Sequence, residues 1–597
     1  MGRQTIFCFF AFFLLTTSGF AENYYVSKSG SDLFDGLSKE TAFLNIQRAA
    51  EIAQAGDVVY VGGGVYREVI KPKNSGSKGK LISFVAMPGE RVVVKATELI
   101  SSSWANYKNK IYVAHLDLPL GDQNAIFRED KRMVFARWPN GGDVDFDKNH
   151  LEIVKNGGSG FMCSSGLGGR SDDFYKDAIL WVLAGAKWSA LGLNVNSSSS
   201  DCLYFDMRKD IEKYHNLGDV TRGDSNYFYL SGKLDFLDVE NEWYYDSDSQ
   251  NLYVNVGEKP EVLGQLEFKS RSLVVDLGRS SFVRFSGFEF FGGGIYVGGD
   301  FNVFEDIRAT EVFSHNARGM TYYFPVKHDG IHVSGGGNLF MNGFFRRSDG
   351  NMFLIDRGDN NIFLNNVISE VGLLGNYGAA FRLENMFDDY GRTFLINNRI
   401  SNVGRSGMHV IRPAIISGNE IYNTNLIADD GAAIYMGGYL RGTKVFKNFV
   451  HDVRWSSGKR AGVVSAIYMD SRSSDVFVFK NLIYNIGQDA AFRVNGPNFG
   501  VYIYNNTVDL APSRLVNSCC KARYVEFNNI LNAPFSEFSG SGVAKYYLRP
   551  DSRFVDSGLS NFPFDSSYQG RAPDFGAFEF GERPWKAGSI DFDVVLD

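Results

Sequence analysis

The chain has 597 residues, among them 65 glycines, 51 phenylalanines and 30 tyrosines. Its 61 Lys and Arg against 68 Asp and Glu give a net charge of −7, without the basic excess typical of nucleic-acid-binding proteins. With 44% hydrophobic residues the chain is not disordered as a whole, and its length exceeds one compact core, so we expect several domains or a solenoid. The abundance of glycine and aromatic residues, without long runs of helix formers, predicts an all-β protein.

The first 21 residues predict a secretory signal peptide. Arg3 is followed by an apolar run at 6–15 and by small and polar residues at 18–21, the usual order of such a peptide. The apolar run is too short to cross a bilayer, and no later stretch reaches the length of a membrane helix. We therefore expect an exported chain, secreted or periplasmic, that does not span a membrane.

Export would place the other four cysteines in an oxidising compartment. Cys163 and Cys202 either pair with each other or are buried separately, and a bond between the adjacent Cys519 and Cys520 would be strained. No cysteine has the spacing of zinc ligands, and phosphate-binding and metalloprotease motifs are absent from the sequence. The sequence therefore predicts no metal and no cofactor.

Changes of pattern divide the remaining chain into four parts. Residues 22–100 are expected to form an N-terminal cap and the first coils of a solenoid, since helical spacing at 43–54 predicts a helix over the open end. In 101–260 the rhythm breaks into strands and Gly/Ser/Asp-rich loops, which predicts an inserted antiparallel β module with a hairpin over 242–254. Residues 261–540 form the main solenoid and 541–597 a C-terminal cap.

A repeated phrase defines the main solenoid. Short runs of alternating apolar residues end in asparagine at intervals of 21 to 33 residues, at Asn342, Asn366, Asn398, Asn419, Asn448, Asn481, Asn506 and Asn529. Such a period fits one coil of a parallel β-helix. Asparagines stacked at one turn and hydrogen-bonded from coil to coil explain the pattern.

A second phrase of four residues accompanies these coils. Strand alternation turns its first and third residues inward and its second and fourth outward. One outward column contains His332, Arg382, His409, Tyr435, Tyr468 and Arg493, and the next contains Ser334, Glu384, Ile411, Gly437, Asp470 and Asn495. A strip of His, Arg, Tyr and carboxylate side chains predicts a binding groove along the solenoid.

Several of these segments resemble a known class of proteins. The opening YYVSKSGSDLFDGLSKETAF and the close GRAPDFGAFEFG resemble the two ends of secreted right-handed parallel β-helix proteins. The stretches DDGAAIY at 429–435 and AIYMD at 466–470 resemble the paired acidic motifs of β-helical glycoside hydrolases similar to families 141 and 120. The resemblance implies a right-handed parallel β-helix and a carbohydrate-active enzyme. The chain departs from the usual motifs at Ala432, where glycine is common, and at residues 471–472.

Glycoside hydrolysis requires two carboxyl groups on either side of the bond, and we predict Asp430 and Asp470 in these catalytic roles. In the predicted register Asp470 lies over Gly437, roughly 23 Å along an extended strand from Asp430. The pair therefore requires the chain at 429–432 to fold back, which Gly431 permits. The structural alternative makes Asp430 a turn former and Asp470 a cap at the end of a coil.

The predicted substrate-binding residues are Glu384, His409, Arg382, Tyr435, Tyr468, Arg493 and His332. Arginines recognise acidic groups, tyrosines offer apolar faces to sugar rings, and imidazoles tune carboxylates. For each of these residues a purely structural role is the alternative to substrate binding, as follows. Glu384 pairs with Asp356, the arginines form salt bridges to Glu384 or Asp489, the tyrosines form an aromatic stack, and the histidines are plain surface groups.

Three functions follow, in order of preference. The first is an exported, monomeric glycoside hydrolase acting on a polysaccharide or oligosaccharide. The second is a polysaccharide lyase or epimerase acting on a uronate-containing polysaccharide, with the Arg, His and Tyr column in place of the carboxylate pair. The third is a β-helical carbohydrate-binding surface protein, which requires no carboxylates at working distance.

Overall fold

Three long parallel sheets form the main body of the chain. The computed structural model describes residues 21–142, 148–212, 215, 226–257, 260–321, 329–384, 391–453, 464–486, 490–509, 514–539, 546–560, 568–582 and 587–588. Residues 1–20 of the predicted signal peptide lie outside this set. Each regular coil adds one strand to each sheet, and every strand pairs in parallel with the equivalent strand of the next coil. The predicted fold class, an all-β parallel β-helix, is confirmed.

The sheets are called I, II and III in the order in which a coil passes through them. Sheet I contains 13 strands: Asn23–Val26, Val58–Val61, Ile82–Ala86, Val283–Ser286, Val303–Glu305, Leu339–Met341, Ile362–Leu364, Thr393–Ile396, Ala414–Ser417, Thr443–Phe446, Ser474–Phe479, Phe499–Tyr504 and Val525–Phe527. Sheet II contains 12: Gly64–Tyr66, Val92–Lys95, Phe288–Phe291, Arg308–Phe313, Phe344–Ser348, Val367–Val371, Arg399–Val403, Glu420–Tyr422, Phe449–Val453, Leu482–Ile486, Thr507–Asp509 and Ile530–Leu531. Sheet III contains 10: Leu273–Asp276, Gly294–Val297, Ile331–Val333, Phe353–Ile355, Phe381–Leu383, Met408–Val410, Gly431–Met436, Val464–Met469, Phe492–Asn495 and Val516–Cys519.

Inward side chains of the three sheets form one continuous core. In sheet I the core includes a ladder of phenylalanines, in which Phe285, Phe304, Phe340 and Phe363 stack at centroid distances of 5.5, 4.6 and 5.2 Å. All four are fully buried. Stacked rings combine a large buried apolar area with a favourable offset geometry, which explains the high phenylalanine content.

An asparagine ladder lines the turn between sheets I and II. Each rung accepts, at its side-chain oxygen, both the backbone N–H and the side-chain amide of the asparagine one coil earlier, as between Asn366 and Asn398 at 3.0 Å. The ladder continues through Asn419, Asn448, Asn481, Asn506 and Asn529. Predicted membership is wrong only for Asn342. The next residue, Gly343, occupies the ladder position, and Asn342 pairs outside it with the side chain of Asn365 at 2.8 Å.

The inserted segment leaves the solenoid within a coil and returns to it. Val92–Lys95 pairs directly with Phe288–Phe291, so sheet II continues across the insertion. The intervening strands are Thr97–Leu99, Ala105–Lys108, Ile111–His115, Ile126–Arg128, Lys131–Arg132, Val134–Phe135, Arg137–Trp138, Glu152–Val154, Asn156–Gly158, Phe161–Cys163, Ile179–Leu183, Leu191–Ser199, Cys202–Phe205, Asn226–Ser231, Glu242–Asp246, Asn251–Asn255 and Leu266–Lys269. They pair mostly antiparallel, and the predicted hairpin is confirmed between Glu242–Asp246 and Asn251–Asn255. A disulfide joins Cys163 to Cys202 across an antiparallel pair.

Helices are few and short. The helix Ile46–Ile52 buries Ile46, Ala49 and Ala50 against the first coils, as the predicted N-terminal cap requires. A single turn forms at Lys209–Glu212, and 3-10 turns form at Gly121–Gln123, Lys148–His150, Ser165–Leu167, Leu234–Phe236, Pro260–Gln265 and Phe535–Glu537. A last strand pair joins Phe538–Ser539 to Tyr547–Leu548. Among the described residues, no helix has the length and apolarity needed to cross a bilayer.

The inserted module packs on the loops that connect sheet II to sheet III, here called the II–III loops. Ile179, Trp181 and Ala190 of the module form an apolar cluster with Ala317 and Ile427 of these loops. Backbone hydrogen bonds of 2.8 Å run from Ala190 to Gly375 and from Asp429 to Lys187. The module therefore reaches the loop that carries one of the predicted catalytic residues.

Candidate active site

The outward residues of sheet III form the predicted column. Parallel pairing joins His332, Leu354, Arg382, His409, Tyr435, Tyr468 and Arg493 in that order, each one coil from the next. The alternation of the sequence thus assigned the side-chain directions correctly. Leu354 belongs to a coil that the repeat analysis did not recognise, and it separates His332 from Arg382.

The column is covered by other parts of the chain, whereas the sequence predicted an open groove. His332, Arg382 and Tyr468 are only 4%, 2% and 3% exposed. The II–III loops fold over the outer face of sheet III, since Arg382 donates a hydrogen bond to the carbonyl oxygen of Tyr377 at 2.8 Å. Polar side chains enclosed in this way interact more strongly with one another than they would on an open surface.

Asp470 lies directly after the strand Val464–Met469 and is held by three donors. Its Oδ2 accepts the phenolic hydrogen of Tyr435 at 2.5 Å. Its Oδ1 accepts hydrogen bonds from the backbone N–H of Ser471 at 2.8 Å and from the side-chain amide of Asn495 at 3.1 Å. All three donors fix the position of the carboxylate within the groove.

Asp430 ends a II–III loop, directly before the strand Gly431–Met436. Its φ of +52° lies in the left-handed region, which aspartate tolerates better than most residues. The residue with left-handed backbone in this segment is therefore Asp430, and Gly431 is the first residue of the strand. Glycine is needed at 431 for space, because a Cβ there would lie 2.5 Å from Nδ2 of Asn425.

Burial raises the pKa of the Asp430 carboxyl, and the charge of Asp470 raises it further. The guanidinium groups of Arg405 and Arg493 act in the opposite direction. Aspartate in such surroundings keeps its proton to a higher pH than an exposed aspartate does, because the charged form loses its hydration.

The two predicted catalytic carboxylates belong to one electrostatic cluster. Both Asp430 and Asp470 raise the pKa of the Tyr468 phenol, after the larger effect of its burial. Arg493 lies over the ring of Tyr468 at 5.5 Å from the centroid and interacts with Asp430 as well. The structure thus brings together Asp430, Asp470, Tyr435, Tyr468 and Arg493. Asp430 directly precedes the strand Gly431–Met436 and Asp470 directly follows the paired strand Val464–Met469, so the two carboxyl groups lie at opposite ends of these strands.

Arg405 is a member of the cluster that the sequence analysis missed. It lies in the II–III loop before Met408–Val410, is 2% exposed, and donates from Nη2 to the carbonyl oxygen of Asp430 at 2.8 Å. Its guanidinium lies 4.2 Å from the ring centroid of Tyr377 and 5.2 Å from that of Tyr435. Among the described residues, its Nε and Nη1 have no hydrogen-bond partner. The sequence offered one indication of this role, because Arg405 is a charged residue in a short loop between two buried strands.

His409 lies between the two halves of the column. Its ring centroid is 5.7 Å from Tyr377 and 4.8 Å from Tyr435. Burial, followed by the charges of Arg382 and Arg405, holds the pKa of this imidazole well below its usual range. His409 is therefore neutral at ordinary pH and contributes a polar edge without a charge.

The remaining predicted residues form a second cluster further toward the N-terminal end of the solenoid. Arg382 forms an ion pair with Glu384, and Nε2 of His332 lies 3.0 Å from Oδ2 of Asp356. Of the structural alternatives, the salt bridge between Arg382 and Glu384 is found, whereas Asp356 lies against His332 instead of Glu384. His332 lies four strands from Tyr435 in sheet III, about 19 Å at the ordinary strand spacing, so it does not join the carboxylate pair. The alternative partner of Arg493, Asp489, lies outside the described residues.

Asp329 is a third carboxyl group that the sequence analysis missed. It ends a II–III loop just before Ile331–Val333 and accepts a hydrogen bond from the side-chain amide of Asn351 at 2.9 Å. Burial raises its pKa to about 7, against the opposing charges of Arg382 and His332. In the register of sheet III this residue aligns with Ala432, two residues after Asp430, a relationship that only the aligned coils reveal.

The inserted module places one aromatic side chain, Trp188, beside this site. Trp188 donates from its indole nitrogen to Nε2 of His215 at 2.7 Å, and its ring centroid lies 6.3 Å from that of Tyr377. Burial lowers the pKa of His215 to about 4, so the imidazole is neutral and accepts this hydrogen bond. Neither residue was singled out from the sequence.

Comparison of the sequence with known proteins gives one short match and no family. No known protein-family model matches the chain. The uncharacterised protein YwoF of Bacillus subtilis (strain 168) is 33% identical over 97 residues, which is 16% of this chain and 20% of that protein. This chain therefore matches only about one fifth of the length of that curated relative.

Solved structures are similar over most of the chain. One named "Glycoside hydrolase" superimposes with a TM-score of 0.62 at 16% identity, covering 84% of this chain and 97% of its own. The pectate lyase Pel9A superimposes with a TM-score of 0.36 at 12% identity, covering 94% and 97%. The superposition on the structure named "Glycoside hydrolase" shows a shared fold.

Proposed function

We propose that this chain is an exported glycoside hydrolase that cleaves a bond in a polysaccharide or oligosaccharide with Asp430 and Asp470. The observation that carries the proposal is the contrast between the two carboxyl groups. Burial raises the pKa of Asp430, whereas Asp470 is held as an acceptor by three hydrogen-bond donors. Two titratable groups with environments of opposite kind are typical of an acid and its partner base or nucleophile.

In this mechanism Asp430 is the general acid. Its proton passes to the glycosidic oxygen as the bond to the departing sugar breaks. Asp470 faces the opposite side of the anomeric carbon, where it either attacks directly or activates a water molecule. Positive charge that develops on the sugar ring is stabilised by the ionised Asp470, while Tyr435 and Asn495 keep that carboxylate in place.

The remaining members of the column supply binding in the same proposal. The partly exposed Tyr435 offers ring surface for a sugar, with Tyr468 and the neutral His409 packed against it, and the partly exposed Arg493 offers a charged donor next to it. Glu384, which is partly exposed and pairs with Arg382, binds a more distant sugar unit of an extended substrate. Coils about 4.8 Å apart suit a polysaccharide lying along the solenoid.

The lyase or epimerase alternative is less well supported by this geometry. Such an enzyme needs a base that loses its proton readily, and arginine does not serve, because its pKa is too high. Burial raises the pKa of both Tyr435 and Tyr468, and nearby carboxylates raise it further. A binding protein without catalysis has no need for a buried carboxyl group beside a second carboxylate. The comparison with a lyase or epimerase and the comparison with a binding protein both favour hydrolysis.

The proposal that the chain is exported rests on the Cys163–Cys202 disulfide as well as on the predicted signal peptide. The bond between Cys163 and Cys202 joins two strands of the inserted module. Structural disulfides persist in oxidising compartments and are rare in the cytosol. The bond therefore supports a secreted or periplasmic location.

Incubation of the purified chain with a panel of neutral and uronate-containing polysaccharides tests the proposal. Hydrolysis releases reducing ends without new ultraviolet absorbance, whereas a lyase creates an unsaturated sugar that absorbs. Asp430→Asn and Asp470→Asn should each abolish the release, while Asp475→Asn, at an exposed position in sheet I, should not. New absorbance, or activity retained in both site variants, would overturn the proposal.

A further inference from the structure

Two free cysteines lie at the C-terminal end of the second outward column of sheet III. Cys519 ends the strand Val516–Cys519 and pairs with Asn495, which lies one coil beyond Asp470. Cys520 follows directly, and the two sulfur atoms are 2.6 Å apart. Cys519 is half-buried and Cys520 is exposed.

A chain of hydrogen bonds joins this pair to the proposed catalytic carboxylate. The thiol of Cys519 donates to Oδ1 of Asn495 at 2.7 Å. That bond fixes which way the Asn495 amide points, and the same amide donates to Oδ1 of Asp470 at 3.1 Å and to the hydroxyl of Tyr468. An amide whose oxygen has lost its donor is free to rotate or flip, so its hold on Asp470 weakens.

The two thiols have different roles. Burial, together with the hydrogen bond to Cys520, raises the pKa of Cys519 to about 11, so this sulfur keeps the proton that it donates to Asn495. Cys520 is the sulfur that solvent-borne reagents reach. Reactivity toward disulfides depends on access as well as on thiolate character, so Cys520 reacts first.

We propose that Cys519 and Cys520 form a redox site that adjusts the position of Asp470. A low-molecular-weight disulfide is the oxidant. The Cys520 thiolate attacks one of its sulfur atoms and releases one thiol, and Cys519 then attacks the mixed disulfide, loses its proton to solvent and releases the second thiol. In balance, two cysteine thiols are oxidised to one disulfide while the reagent is reduced to two thiols. The disulfide has no S–H, so Asn495 loses its donor.

Formation of the bond is tested without any substrate. The chain is treated with oxidised glutathione or with reduced glutathione, alkylated, and digested with trypsin, which releases residues 515–521 with both cysteines and no other. After oxidation this peptide should lack both alkyl groups and be two hydrogen masses lighter than the unalkylated dithiol. A peptide that keeps both alkyl groups, or carries only mixed disulfides, overturns the redox site.

Coupling to Asp470 rests on the proposed function and is tested by kinetics. Oxidation should lower kcat by roughly two- to tenfold, the effect of losing one neutral hydrogen bond, with KM unchanged. Cys519→Ala should show the lowered kcat both with and without oxidant. Cys519→Ser keeps a hydroxyl donor, so it should have the kcat of the reduced parent chain under both conditions.

Cys520→Ser is the matched control, because it retains the Cys163–Cys202 bond but cannot form the new one. It should keep the kcat of the reduced chain under both conditions. A disulfide that forms without changing kcat, or an oxidant response that survives in Cys520→Ser, overturns the coupling. If the chain hydrolyses no polysaccharide, the alkylation result still decides whether the redox site exists.

Discussion

The hydroxyl of Tyr435 donates a hydrogen bond to Oδ2 of Asp470, which belongs to the next coil, and the distance is 2.5 Å. The same phenol ring lies 5.2 Å from the guanidinium of Arg405, and Arg405 holds the backbone carbonyl of Asp430. One tyrosine therefore connects the surroundings of both carboxyl groups. Its position follows from the register of sheet III, where Tyr435 pairs with Tyr468 and the two rings meet edge to face.

Removal of that hydroxyl should weaken the site without unfolding the chain. Tyr435→Phe keeps the ring and its contacts with His409 and Arg405 but removes one donor to Asp470. Hydrogen bonds to charged groups contribute about 1.5–3 kcal/mol, so we expect kcat to fall by roughly ten- to a hundredfold. Steady-state kinetics on the hydrolysed polysaccharide measures the change. An unaltered kcat would remove Tyr435 from the mechanism.

Tyr502→Phe is a matched control for this substitution. Its ring stacks on Phe477 in sheet I at 5.1 Å, on another face of the solenoid. The variant should have wild-type kcat.

The roles of the two carboxyl groups can be separated by the choice of substrate. Asp430→Asn and Asp470→Asn should each lower kcat on a polysaccharide by roughly a thousandfold or more. An aryl glycoside of the same sugar, whose phenolate departs without a proton, should restore much of the activity of Asp430→Asn but none of that of Asp470→Asn. Initial rates with both substrates test the assignment, and rescue of Asp470→Asn instead would reverse it.

Asp329 should make the stability of the fold depend on pH. Its pKa is about 7 in the fold and about 3.9 in the unfolded chain, so the unfolded chain releases this proton first. The stabilising contribution is complete below about pH 4 and is lost as the pH rises toward 7, by up to about 4 kcal/mol. Asp329→Asn removes the ionisable group and should therefore raise the melting temperature relative to the parent at pH 8 but not at pH 4.

Thermal unfolding of both chains across this range provides the measurement. Asp276→Asn, in which a half-buried carboxylate of sheet III is replaced, is measured in the same way to give the effect of removing a carboxylate elsewhere in the sheet. A constant difference between parent and Asp329→Asn at every pH would show that Asp329 is not perturbed in the fold.

The asparagines of the ladder should contribute more to the free energy of unfolding than the asparagine pairs outside the ladder do. The amide of Asn448 donates to the carbonyl oxygens of Ile416 and Phe446 and to the side chain of Asn481. Asn448→Ala leaves buried polar groups without partners, each costing about 1–3 kcal/mol, so a loss of several kcal/mol is expected. Asn423→Gly removes one outer hydrogen bond at a position with φ of +49°, which glycine tolerates, and should cost far less. Urea unfolding of the two variants gives the comparison.

The repeating part of the molecule was predictable from sequence because its causes are local. Alternation with period two decides which side chains face inward, and the same alternation placed Arg382, His409, Tyr435 and Tyr468 in one outward column. Asparagine at a recurring turn has few stable arrangements other than a ladder, since each side chain matches the donor and acceptor of the next. Both patterns repeat often enough to be read without knowledge of any long-range contact.

Tertiary structure alone decided how the site is enclosed and which carboxyl groups meet. Asp329, Tyr377, Arg405 and Asp430 all lie in II–III loops, whose lengths differ from coil to coil, so their place above sheet III depends on the stack rather than on spacing in sequence. The inserted module adds Trp188 to this enclosure from a distant part of the chain. Periodicity specifies directions within a strand, but loops carry no period, and only the packing of one coil on another brings Asp430 and Asp470 to the same tyrosine.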